Sequence, residues 1–107
     1  MPFYVDLGRI AGERLSELPL EVRQLWDLEI APILKDNPRP RAAAAFYILD
    51  LWNLWERHVY VLYADAWPDL EVRYTVDPDD PREYADVPNE YEGAVYVYDI
   101  VPRGRGG

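Results

Sequence analysis

The apolar residues of this chain change their spacing once, and that change limits its architecture more than any other feature. Up to residue 37 they recur mostly at helical intervals; beyond residue 46 they alternate or cluster as they do in strands. "GRIAGERLSE" (8–17) carries Ile10, Ala11 and Leu15, followed by Leu18, as one apolar stripe. Arg9, Glu13, Arg14 and Glu17 fall on the solvent side. Pro19 closes this helix and suits the first turn of the next. "PLEVRQLWDLEIAPILKDN" (19–37) repeats Val22, Leu25, Trp26, Ile30, Ile33 and Leu34 near i, i+3 and i+4. Pro32 sits inside this second helix. In a regular helix it costs about 3 kcal/mol, so a kink or break is expected near Ala31.

Strand signals surround the helices. "FYVDL" (3–7) alternates apolar and polar residues and reads as an opening strand. "DNPRPR" (36–41) is a turn, because Pro38 and Pro40 forbid regular structure. Residues 42–64 support two readings. The four alanines, with no Gly or Pro, favour a helix through 42–56. The aromatic and β-branched residues from Phe46 onward favour a short link at 42–48 and strands near 50–55 and 58–65. "LEVRYTVD" (70–77) is the cleanest half-buried strand, and "AVYVYDIV" (94–101) is the last. The prolines and acidic residues of 77–93 predict a loop, and 102–107 a flexible tail. The expected fold is a single α+β domain over 1–107. Two N-terminal helices pack on one face of a mostly antiparallel sheet of four to five strands.

Charge bears on partners. Residues 1–41 hold 6 basic and 7 acidic side chains, and residues 42–107 hold 5 and 13, within a formal net charge of -9. Proteins grip nucleic acid mainly through Lys and Arg that displace phosphate counterions. The C-terminal two thirds therefore suit a basic protein partner better than RNA. The chain has no cysteine, no basic start leading into a long apolar run and no membrane-length apolar stretch. A cytoplasmic location and no membrane partner are expected. Gly-rich phosphate loops, nucleophile elbows and HExxH patterns are missing, so no cofactor or metal is expected. Asp77, Asp79 and Asp80 lack the calcium-hand spacing and read as a solvated loop.

Several stretches in this order resemble the RelE/ParE superfamily of toxins from type II toxin–antitoxin systems. "FYVDLGRIAGERLSELPLEVR" is similar to the family's opening strand, first helix and Leu-Pro junction. "ILKDNPRPRAA" is similar to the end of its second helix. "LWNLWERHVYVLYAD" resembles its central hairpin, and "AVYVYDIVPRG" its final strand. The resemblance implies a toxin-like component neutralised by an antitoxin. It acts either as an mRNA endonuclease on the ribosome, with a degenerate site, or as a non-enzymatic binder of a protein such as an antitoxin or gyrase. The family's hairpin arginines fall here on Asn53, Trp55 and Tyr60; only Arg103 lies where a family basic residue is expected. The segment 66–93 is also longer than the family's usual connection.

RNA cleavage needs a proton acceptor, a proton donor and a cation at the phosphate. His58, the single histidine, is the candidate acid or base, Arg103 the phosphate clamp and Tyr60 the support. Trp52, Trp55, Tyr63 and Arg57 are the binding candidates on the hairpin. A turn histidine, a solvated tail arginine and solvent-facing Arg57 and Arg73 are the plainer readings. The sheet aromatics Trp52, Trp55, Tyr60, Tyr63, Tyr74, Tyr96 and Tyr98 are core and cross-strand pairs, unless one set lies exposed opposite the helices.

Overall fold

The computed structural model describes residues 2–54, 57–67, 70–77 and 91–102, with 51–54, 57, 58 and 77 described by backbone alone. Strand β1 (Tyr4–Leu7) leads into helix α1 (Arg9–Glu17). The Leu18 amide donates to the Leu15 carbonyl at 3.2 Å and ends α1 just before Pro19. Helix α2 (Leu20–Leu25), a π-helical turn (Trp26–Ile30) and helix α3 (Ala31–Asp36) then run on as a second helical segment.

Pro32 therefore does not break the helix. The Ala31 amide donates to the Trp26 carbonyl five residues back, and Pro32 follows in the first turn of α3. The extra residue of a π turn opens the ladder where the proline ring would otherwise meet a carbonyl. It also answers a problem of spacing. Val22, Trp26, Ile30 and Leu34 are all buried and all four apart. In a regular helix each such step rotates the side chain about 40° further round the axis. The wider turn offsets that drift and holds the row on the core.

The α1 stripe departs from expectation at one position. Ala11 is buried and Leu15 and Leu18 pack on the core, but Ile10 is 52% exposed. Positions 11, 15 and 18 share one helical face; Ile10 stands about 100° away from Ala11.

Strands β2 (Arg41–Ala42), β3 (Tyr47–Leu54), β4 (Arg57–Tyr63), β5 (Glu71–Asp77) and β6 (Ala94–Val101) follow among the described residues. The sheet has six strands in the order β1-β6-β5-β4-β3-β2, more than the four or five expected. The added strand is β2, a two-residue pairing of Arg41 and Ala42 with Ile48 and Tyr47. It starts inside the turn that its prolines were expected to keep irregular. Asn37 stabilises that turn: its side-chain oxygen accepts the Arg39 amide, and its carbonyl accepts the Arg41 guanidinium at 3.0 Å. Residues 42–64 form a hairpin rather than a helix. All pairings are antiparallel except β1 with β6.

Both helical segments contribute to one core against one side of the sheet. Trp26, Ile30 and Leu34 meet Ile48, Leu62, Val72, Tyr74, Val95 and Val97 there. Tyr74 is wholly buried and donates its hydroxyl to the Pro38 carbonyl at 2.6 Å, tying the inter-element turn to the central sheet. Among the described residues no helix is long and apolar enough to cross a membrane. The loop expected over 77–93 lies mostly outside the described residues, as does the tail after Pro102.

Candidate functional site

Strand alternation turns half of the sheet side chains to a second face, and among the described residues no helix packs there. On β1, Phe3 and Val5 turn to the core, so Tyr4 and Asp6 turn away. On β4, Tyr60 and Leu62 pack with the core, so Val59, Val61 and Tyr63 belong to the other face. Cross-strand register then assembles that face. Tyr47 opposes Tyr63, Leu49 opposes Val61, Val61 opposes Arg73, and Asp6 opposes Tyr96.

The resulting surface is apolar and aromatic. The Tyr47 and Tyr63 rings stack with centroids 5.2 Å apart and planes at 28°. Leu49 beside them is 47% exposed, while Val59 and Val61 are buried. Across the sheet, Tyr4 and Tyr96 are 37% and 36% exposed. Such groups are common singly on a protein surface; here several gather on one face that no helix covers among the described residues.

Positive charge is scarce there. Among the described side chains of this face Arg73 is the cation, and its Nε lies 3.1 Å from Glu71 Oε2. Arg73 also faces Tyr98. Burial pushes the Tyr98 phenol above its ordinary range, with Arg73 pulling the other way. Arg14 reaches Asp99 at 2.7 Å, and Arg41 lies over the Phe46 ring at 4.8 Å. These guanidiniums are engaged within the fold, not displayed in a row for a phosphate backbone.

The candidates expected from sequence separate. Tyr60 and Tyr63 are three residues apart on one strand and so face opposite ways. Tyr60 packs on the helix-side core against Tyr74, with ring centroids 5.8 Å apart; Tyr63 lies on the free face. Tyr74 belongs to the core and Tyr96 to the free face. His58 is placed by backbone opposite Asn53, Arg57 opposite Leu54 and Trp52 opposite Val59. Their side chains, together with Trp55 and Arg103, lie outside the described residues. Tyr4, Asp6, Tyr47 and Leu49 were not singled out from sequence. The alternation of "FYVDL" already puts Tyr4 and Asp6 on one side of a strand, but Leu49 needed the hairpin register. Among the described residues no three acidic or histidine groups converge as metal ligands would.

No family model, curated protein or solved structure matches this chain.

Proposed function

We propose that this chain is a toxin-like component of a type II toxin–antitoxin pair, which acts by holding a protein on the free face of its sheet. The observation that carries the reading is the apolar, aromatic patch of Tyr47, Leu49 and Tyr63 above buried Val59 and Val61. Its composition suits the buried centre of a protein contact, where aromatic residues are enriched. The net charge of -9 favours a basic partner and disfavours a polyphosphate one. The order of strand, two helical segments, hairpin and closing strands is the one the RelE/ParE resemblance implies, and it supports the toxin-like assignment. Cleavage through His58 and Arg103, with Tyr60 in support, has less in its favour: Tyr60 packs on the opposite side of the sheet from the patch.

Induced expression in a bacterial host, with mRNA ends mapped, tests this reading. Growth should slow without new cuts in ribosome-bound mRNA. Leu49→Asp should relieve the arrest, and Leu28→Asp should not, since Leu28 is 76% exposed on the helical side. A harmless wild type, fresh mRNA ends that vanish in His58→Ala, or arrest that survives Leu49→Asp would each contradict it.

A further inference from the structure

We propose that Tyr4, Asp6 and Tyr96, where β1 borders β6, form a seat for one arginine or lysine side chain of the partner. The proposal rests on the protein-binding reading above and adds the partner's chemistry.

Asp6 is the starting point. The other half-buried acidic groups of the described chain have arginines: Glu71 has Arg73 and Asp99 has Arg14. Asp6 is half-buried on the free face, and among the described residues it has neither an ion pair nor a hydrogen bond. A carboxylate partly withdrawn from water and left without a donor is poised to accept one.

The rings around it define what that donor is. Tyr4 precedes Asp6 by two residues on the same face, and Tyr96 is its cross-strand partner. Each ring is held in place. Tyr91 stands edge-on to Tyr4 with centroids 5.4 Å apart. Tyr96 lies over Gly8, where an added Cβ would come within 2.6 Å of its hydroxyl oxygen. Ala94, opposite Tyr4, presents only a methyl group and is buried. A carboxylate flanked on its sheet face by two tyrosines favours a cation that can be both hydrogen-bonded and packed on a ring; guanidinium fits best, ammonium next. The same carboxylate repels a phosphate. Net negative charge draws a basic segment towards the face before contact.

The test uses the full chain labelled with nitrogen-15 and two probes, acetyl-Gly-Arg-Gly-amide and acetyl-Gly-Glu-Gly-amide, at low salt. The arginine peptide should shift the amides of residues 4–7 and 95–97 in a saturable way; the glutamate peptide should not. Asp6→Asn should keep the native spectrum and weaken binding about tenfold, as expected for losing a hydrogen bond to a charged group. Tyr4→Leu should weaken it less. No saturable shift at these amides, or an unchanged titration in Asp6→Asn, would overturn the seat. If that happens while Leu49→Asp still relieves growth arrest, the seat falls and the binding face stands. If the arginine peptide titrates residues 4–7 while arrest survives Leu49→Asp, the face reading falls and the seat stands.

Discussion

Tyr74 shows how one side chain links sequence, packing and pH response. In "LEVRYTVD" it occupies an apolar position of an alternating strand, so its burial was readable. Its hydroxyl partner was not, because Pro38 lies 36 residues away in a turn. Removing the hydroxyl in Tyr74→Phe strands the Pro38 carbonyl in the core and should cost about 1–2 kcal/mol in urea unfolding. Burial holds the Tyr74 phenol neutral and raises its pKa well above the ordinary 10.0, with Tyr60 adding to the shift and Arg41 opposing it. Above pH 10 the unfolded chain releases that proton and the folded chain keeps it. This contribution is complete below about pH 10, and each further pH unit should remove about 1.4 kcal/mol of stability. In denaturation curves from pH 9 to 11 the wild type should lose stability faster than Tyr74→Phe. Parallel loss in both proteins would show that the phenol ionises freely in the fold.

Among the elements, the second helical segment is where sequence reasoning and structure part company. Its length and apolar row were legible in Val22, Trp26, Ile30 and Leu34; the π turn was not. Proline rules name a conflict at position 32 without saying whether the helix bends, stops or widens. Because the widened turn already accommodates the ring, Pro32→Ala should change the unfolding free energy by less than about 1 kcal/mol. A gain near 3 kcal/mol would mean that the proline strains a regular helix. The junction of β1 and α1 has the opposite character. Gly8 has φ near -61°, so no left-handed backbone requires a glycine. A Cβ there would approach the Tyr96 hydroxyl oxygen at 2.6 Å and the Val97 carbonyl oxygen at 2.9 Å. The tyrosine can swing aside, but the carbonyl is fixed by the Gly8 amide bond of 2.8 Å. Gly8→Ala should therefore cost about 1–3 kcal/mol, measured by thermal or urea unfolding. The hairpin over 42–64 was ambiguous from sequence, since four alanines and a run of aromatics pull in different directions. Burial of Ile48 against Leu62 decides it, a tertiary effect that outweighs local helix propensity.

At the scale of the molecule, the α+β class followed from the order of periodicities, whereas the pairing of the first strand with the last did not. β1 and β6 are adjacent in the sheet but at opposite ends of the described chain, and they run parallel. This closure builds the free face, since it places Asp6 beside Tyr96 while the hairpin supplies Tyr47, Leu49 and Tyr63. The candidate site was thus only partly legible. Tyr63 and Tyr96 appeared among the sheet aromatics, but which of these were core and which exposed depended on register. The acidic balance on which the proposed basic partner rests was readable from composition alone. The most direct measurement is calorimetric titration of the proposed basic partner, which the toxin–antitoxin reading expects an adjacent gene to encode, into the wild type, Leu49→Asp and Leu28→Asp. The account predicts tight binding to the wild type, at least about tenfold weaker binding to Leu49→Asp, as for loss of an interface anchor, and no change with Leu28→Asp. Equal binding to wild type and Leu49→Asp, with loss in Leu28→Asp, would contradict it by moving the contact to the helices.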